Sequence, residues 1–590
     1  MGSSYYTEHP SARVARPRDI KIDDLAPLSK RYPSRRRIVL APASTSEPFL
    51  PEKLTPKLRW AAVACGVASF LFVWWMWGSL NQVAVVHDEA AYLLQARLFA
   101  AFHLVAPARP TPEFFEQYHT FVEPVVAAKY PPGFSLFLVP GIWLGLPGLI
   151  PALLVGASTA VAFILACELA SAPVAVVTVV LMNASSVALK FNPSYSSEVL
   201  TSFLVLASWL ALYRHWTTGR AHWLFVLAAA VGWGAITRPL TMLAFAVPAG
   251  VATLISIRRH RAWLAIIPSM AVVFAPIGFM LLFNARVTGS WRKSAQSEYA
   301  RMYIPEDHVG FGLTGGVPAR PLSAEQQTFN AWVDSMHAEH TQARLPITIK
   351  QRKRILIAQT WARRSRAGFL AIVGLFALPW EIAVLLSTTV LGIFAAYLLY
   401  PHPLTWMAYY LELQAPLAFL AAAGAFLIVR VAVRYVAPPL SRRISTRGLG
   451  APQPPDPRKQ RLQTQLLFAA VAIWLMFPIP AIVSVGRRLA LSKAAYWQNF
   501  QRLVSTLPSK RSVVFVQYTR GHLPHSSLVQ NEPFGSADVW IVHDRGADDA
   551  RLMSFAGDRH PYLYWETLNG SKAVGHIAPL TFDNVANVGR

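Results

Sequence analysis

The sequence predicts an all-α polytopic membrane protein of about 10–12 transmembrane helices with a small C-terminal α/β extracytoplasmic domain. Of its 590 residues 54% are hydrophobic and only 14% are charged, too few charges for a water-soluble chain of this size. The apolar residues also fall into blocks close to the roughly twenty residues needed to cross a bilayer. Finally, Arg and Lys collect at the ends of those blocks. A formal net charge of +25 would suggest nucleic acid in a soluble chain. Placed as it is, it reads as topology signals and attraction to anionic lipid, and no nucleic-acid partner is expected.

Residues 1–58 carry Lys30, Arg31, Arg35, Arg36 and Arg37 among prolines and serines with no apolar period, and are expected to be a disordered cytoplasmic arm. The first apolar block begins near residue 60, after that arm, and is expected to stay as a helix rather than be cleaved as a leader. Further spans are expected near 149–170, 173–190, 197–213, 222–237, 240–257 and 263–284. The stretch 134–147 is short and broken by Pro140, Gly141, Gly145 and Pro147, so it reads as a half-helix or re-entrant piece. With that piece uncounted, the basic turns Arg214–Arg220 and Arg258–Arg261 share the cytoplasmic side. The loop 81–133, the turn before Glu198, the turn at Arg238 and the loop after Asn284 then share the outer side.

The segment 301–366 is expected to be an external loop, although Lys350, Arg352, Lys353, Arg354, Arg363, Arg364 and Arg366 are strongly basic for that side. An amphipathic helix on the outer surface would accommodate them. Additional spans follow over 367–379, 381–400, 411–433 and 465–485, with a Pro/Arg-rich cytoplasmic linker at 437–464. From 486 onward the pattern changes. Val513–Val516 and Val539–Val542 read as short buried strands, 548–555 as a helix and 562–565 as a further apolar run, with no Gly-rich phosphate loop beside them. Cys65 and Cys167 lie in apolar blocks with no metal-binding spacing.

The chemistry-bearing residues cluster at span ends. Asp88 and Glu89 are adjacent acids just past the first span, and two carboxylates beside hydrocarbon demand compensation by cations, hydrogen bonds or a metal. They could instead simply cap the helix that starts there. His87 beside them makes a divalent metal a candidate cofactor. Lys129 and Arg238 are candidate cations for a phosphate, Tyr130 a hydrogen-bond donor, and Glu198 a ligand for sugar hydroxyls or a support for the base.

In order, Asp88-Glu89 with Tyr92 and Arg97, the block Lys129-Tyr130-Pro131-Pro132-Gly133, Glu198, Thr237-Arg238-Pro239 and Asn284–Ser290 resemble the GT-C superfamily of polyprenyl-phosphate-sugar-dependent membrane glycosyltransferases. Within it the likeness is to the bacterial branch near protein O-mannosyltransferases and lipid A aminoarabinose transferases, over roughly residues 60–300. The resemblance implies a GT-C-like catalytic membrane module over 59–300 and Asp88, the first acid of the pair, as general base, with Glu89 beside it. It also implies a substrate contact near Tyr410, in a block where such proteins often carry Arg before the tyrosines; this chain has Ala408 there, which leaves that contact without its cation unless His402 replaces it.

The function expected is an inverting glycosyltransferase moving a monosaccharide from a polyprenyl-phosphate carrier to a lipid, glycan or protein hydroxyl outside the cytoplasmic membrane. The rival expectation is a transporter or flippase of a lipid-linked sugar, which would place ionisable groups at mid-membrane depth and show internal repeats.

Overall fold

The computed structural model describes residues 54–360, 367–436, 457–518, 527–569 and 572–582. Residues 1–53 of the N-terminal arm, Arg363–Arg366 and most of the expected linker lie outside the described residues; 56–58, read as arm, open the first helix, and 457–464, read as linker, open another (Pro457–Met476).

Helix α1 (Pro56–Trp77) starts where Thr55 accepts the Leu58 N–H at 3.3 Å and Pro56 presets the first turn, and it stops at Gly78 with φ 80°. Helix α2 (His87–Ala100) follows, then α3 (Gly133–Trp143), α4 (Leu149–Leu169), α5 (Ala172–Ala184), α6 (Ser186–Phe191), α7 (Ser197–Thr218), α8 (His222–Ala235), α9 (Pro239–His260) and α10 (Ile266–Thr288). Among the described residues seven helices are long and apolar enough to cross a membrane, and α3, α5 and α8 are shorter apolar ones. The chain is thus a multi-pass membrane protein. Helix α7 matches the seven in length but carries Glu198, Arg214 and His215. The apolar side chains Leu264, Ile267, Phe376 and Phe477 are largely exposed, as side chains facing lipid should be.

The expected span 173–190 is in fact two helices. Ser185 is extended (ψ 145°) and its hydroxyl accepts the Ala188 N–H at 3.1 Å, so it caps α6 and breaks the run. The short piece at 134–147 is the eleven-residue α3, which packs on α2. The two basic turns meet as the parity argument requires, with His260 Nε2 2.9 Å from the Trp216 carbonyl and the Arg259 guanidinium over the Trp216 ring. They lie at the opposite end of α7 from Glu198, about 24 Å away at 1.5 Å per residue.

The described part of the expected external loop, residues 301–360, is largely helical. It holds the end of α11 (Ala295–Tyr303), then α12 (Ala324–Glu339) and α13 (Leu345–Thr360). Helices α14 (Ala367–Leu375), α15 (Trp380–Leu398) and α16 (Gln414–Val431) continue the bundle, with a 3-10 turn, Met407–Leu413, leading into α16. A long helix, Ile479–Ser505, then runs out of the bundle and into the C-terminal sheet.

Three short strands, β1 (Ala106–Pro107), β2 (Thr120–Phe121) and β3 (Val125–Ala128), lie between α2 and α3. In the C-terminal sheet β4 (Ser512–Gln517) is parallel to both β5 (Val539–His543) and β6 (His560–Asn569), and β7 (Lys572–Pro579) is antiparallel to β6, giving the order β5-β4-β6-β7. Strand β7 was not foreseen. Both faces of β4 are covered. Val514 and Val516 pack against Trp497 and Phe500 of the long helix, while Val513 and Phe515 pack with Phe114 and Phe115 from the loop between α2 and α3. His543 Nε2 lies 2.8 Å from the Glu116 carbonyl and Arg545 donates to the Glu113 carbonyl at 3.0 Å. The C-terminal domain therefore clamps the loop that follows α2.

Helices α1 and α4 approach so closely that a Cβ on Gly66 would lie 2.8 Å from the Gly156 carbonyl, and the reverse contact is also 2.8 Å. Gly156→Leu should cost about 1–3 kcal/mol through overpacking, seen as a lower melting temperature in detergent; an unchanged melt would show that the crossing can spread without penalty.

Candidate active site

Helix α2 begins by turning its two acids to different tasks. Val86 is extended (φ −127°, ψ 159°), and Glu89, three residues on, folds back over the helix start. One of its oxygens accepts Val85 N–H at 2.6 Å and Val86 N–H at 3.4 Å, and the other accepts Tyr195 N–H at 3.3 Å. Burial pushes its carboxyl up to about 7; the three N–H donors counter this and the charge of Asp88 adds to it. Both oxygens of Glu89 are thus spent on the main chain, a departure from its expected place beside the base in catalysis.

Successive helical residues diverge by about 100°, so Asp88 points elsewhere. It is half-buried and accepts a hydrogen bond from the Tyr130 hydroxyl. Burial raises its pKa; the Tyr130 bond and the charge of Lys129 pull it back, and Glu198 raises it. Tyr92, one turn along the same face, stacks on Tyr130 at 4.7 Å and donates to the Ser197 hydroxyl at 3.0 Å. His87 is enclosed by Tyr118 at 4.3 Å, His119 at 6.3 Å and Phe329 at 6.5 Å between ring centroids. The sequence triplet His87, Asp88 and Glu89 does not converge on one point.

The block from Lys129 to Gly133 reaches the turn at Arg238 by backbone contact. Gly133 N–H donates to the Ile236 carbonyl at 2.8 Å and Trp233 Nε1 donates to the Gly133 carbonyl at 3.0 Å. A Cβ at Gly133 would sit 2.6 Å from the Ile236 oxygen, which explains the glycine. Arg238 precedes Pro239, the first residue of α9. Its guanidinium pairs with Glu198 at the start of α7, lies 3.4 Å from Glu412, and donates to the Tyr397 hydroxyl at 2.6 Å. It also stands over the Tyr397 and Tyr409 rings, 5.4 Å from each centroid.

Lys129 is buried and its ammonium meets Asp307 at 2.7 Å. Asp307 also accepts the Tyr400 hydroxyl at 2.8 Å. Burial alone would raise Asp307, but the charge and hydrogen bond of Lys129, with the Tyr400 bond, hold its carboxyl below the usual range. Tyr400 contacts Tyr409 at 5.6 Å between centroids. Asp88, Tyr92, Lys129, Tyr130, Glu198 and Arg238 therefore join one polar cluster.

Tyr410 lies to the side of it. Fully buried, it faces His402 at 3.4 Å and bonds Arg352, while its neighbour Tyr409 faces the cluster. Burial, reinforced by the charge of Arg352, takes the His402 imidazole down to about 3. A neutral ring cannot stand in for the Arg absent at Ala408. A guanidinium does reach this block, from Arg352 of α13, which is 2% exposed and donates to the Tyr397 and Tyr400 carbonyls, the latter at 2.9 Å. The expectation of a surface-lying basic helix is corrected for this residue.

Sequence reasoning missed Asp307, Tyr397 and Tyr400, took Arg352 only as part of a basic run, and gave Tyr409 and Glu412, in the block around Tyr410, no role of their own. Glu412, an acid opening an apolar span, was visible as an anomaly; Asp307 sits in no motif. Asn284, in the penultimate turn of α10, accepts the Ala295 N–H at 3.1 Å and closes the turn to α11.

The chain is similar to solved structures of ArnT from Cupriavidus metallidurans bound to undecaprenyl phosphate (14% identity, TM-score 0.49, covering 85% of this chain and 93% of that one) and of the archaeal oligosaccharyltransferase AglB from Archaeoglobus fulgidus in complex with an inhibitory peptide and a dolichol-phosphate (11%, 0.39, 87% and 70%). It is similar also to the arabinofuranosyltransferase AftD from Mycobacteria (13%, 0.42, 88% and 36%). No family model and no curated protein matches the sequence. At these values the functional reading rests on the site's own geometry.

Removing one partner of a buried ion pair strands the other charge. Asp307→Asn should therefore lower stability by about 3–5 kcal/mol, with a smaller loss for the double variant Lys129→Met/Asp307→Leu. Melting in detergent measures both, and a double variant as unstable as the single one would contradict the stranded-charge account.

Proposed function

We propose that this protein is an inverting glycosyltransferase of the GT-C kind, which moves a monosaccharide from a polyprenyl-phosphate carrier to a hydroxyl of a lipid, glycan or protein. The observation that carries the reading is a half-buried carboxylate, Asp88, oriented by Tyr130 and joined through a shared cluster to Lys129 and Arg238 at one end of an apolar bundle. In the proposed reaction the acceptor oxygen forms a bond to the anomeric carbon as the bond from that carbon to the phosphate oxygen breaks. The hydroxyl proton passes to Asp88, and the polyprenyl phosphate leaves with the bonding electrons. One base acting from one face gives inversion, and a phosphate leaving group needs neutralised charge rather than a proton.

The charge balance of the site refines the roles. Asp88, Glu198, Asp307 and Glu412 outnumber Lys129 and Arg238, and both cations already meet carboxylates. Among the described residues Arg352, whose partners are the Tyr397 and Tyr400 carbonyls and Tyr410, is a cation next to this cluster that meets no carboxylate, and we assign it with Lys129 and Arg238 to the donor phosphate. Glu198 fits better as the partner that orients Arg238 than as a sugar ligand. An orientation with the N-terminus in the cytoplasm and this site outside the cytoplasmic membrane fits the placement of the basic turns at the far end of α7.

Transfer of labelled sugar from a panel of polyprenyl-phosphate donors tests the reading. Asp88→Asn should lose about 10²- to 10⁴-fold in rate while melting like the wild type; full transfer by that variant would remove Asp88 as base. The base works ionised, and its pKa is raised, so the acid limb of kcat/KM should lie above the ordinary carboxylate range. Tyr130→Phe deletes a bond that lowers this pKa, so its acid limb should move to higher pH; a shift the other way would contradict the assigned contact.

A further inference from the structure

The segment between α11 and α12 folds back on the end of α12 and brings three ligand-type side chains together. Glu306, His308 and His337 each offer one donor atom, all within 4.8 Å of one another. The Glu306 carboxylate lies 3.4 Å from His308 Nε2, and donors bonded at about 2.1 Å around a tetrahedral ion are about 3.4 Å apart. The two imidazole rings are 4.4 Å apart between centroids.

Two features single this cluster out from an ordinary group of polar residues. His337 Nδ1 is buried without a hydrogen-bond partner on a residue only 1% exposed, and His308 Nε2 faces only the Glu306 carboxylate at 3.4 Å, too long for a good hydrogen bond. Orphaned buried nitrogens carry a cost that a bound ion would remove. In addition, the surrounding chain already orients the ligands. Glu306 accepts Thr314 N–H at 2.7 Å, the Thr314 hydroxyl at 3.0 Å and Gly316 N–H at 3.1 Å, and the Gly312 backbone bonds His337.

We propose that Glu306, His308 and His337 bind one divalent transition-metal ion, Zn²⁺ by the two-imidazole, one-carboxylate donor set. Its role is positional. Asp307 lies between two of the ligands and directs its own carboxylate to Lys129 and Tyr400. Fixing residues 306 and 308 fixes the residue that holds Lys129 in the cluster, and ties α12 to the chain before it. This assignment stands apart from the glycosyltransferase reading, because it rests on the ligands alone.

The test uses the full-length protein in detergent, stripped with EDTA and then incubated with Zn²⁺ alone. Elemental analysis after removal of free metal should find about one ion per chain in the wild type, and less than a tenth of that in His308→Ala/His337→Ala. Melting supplies the control for folding. Zn²⁺ should raise the melting temperature of stripped wild type and leave that of His337→Gln unchanged, with the variant melting close to stripped wild type. Co²⁺-loaded wild type should show the visible absorption of a low-coordinate site, absent from the variant. Substoichiometric metal with no thermal response in the wild type, or equal loading of wild type and double variant, would overturn the proposal.

Discussion

A guanidinium buried among aromatic rings survives only if its charge is met, and the way Arg238 meets that demand organises one end of this molecule. Its partners come from separate elements: Glu198 from α7, Glu412 from the turn before α16 and Tyr397 from α15, while Arg238 itself opens α9. Removing such charges from water costs several kcal/mol per ion, recovered only when geometry and hydrogen bonds are good. Four segments are therefore held in register by one side chain. The Lys129–Asp307 pair applies the same constraint to the chain between α10 and α12.

The adjacent acids of α2 illustrate how helix geometry separates roles. Glu89 is turned back to the main chain ahead of the helix and to Tyr195, so it fixes where α2 starts and how it meets the turn before α7. Asp88 is turned to Tyr130 and keeps partial access. A rigid neighbour is what allows a half-buried carboxylate to hold one orientation. The C-terminal sheet adds to this rigidity, since Phe114 and Phe115 from the loop after α2 are locked into its core.

Much of this was legible in the sequence. Blocks of apolar residues near twenty long specify spans because hydrocarbon leaves the backbone no other way to satisfy its hydrogen bonds. Asp88, Lys129, Glu198 and Arg238 stood out because a charge beside such a block is costly and therefore kept for a reason. The strands β4 and β5 announced themselves as continuous apolar runs, although only β4 is buried over most of its length, while β5 lies at the sheet edge with Val539, Trp540 and Ile541 half-buried.

What only the tertiary structure decided is which charge meets which. Lys129 and Asp307 are 178 residues apart, and nothing periodic links them. Arg352 looked like one of several basic residues on a surface helix, yet packing buries it against Tyr397 and Tyr400. Glu306, His308 and His337 share no motif, because the reversal of chain before α12 is what joins them. Local sequence dictates spans, caps and strands through short-range sterics and hydrophobic period, whereas the pairing of buried charges is set by how separate helices pack, a choice that no single stretch of residues encodes.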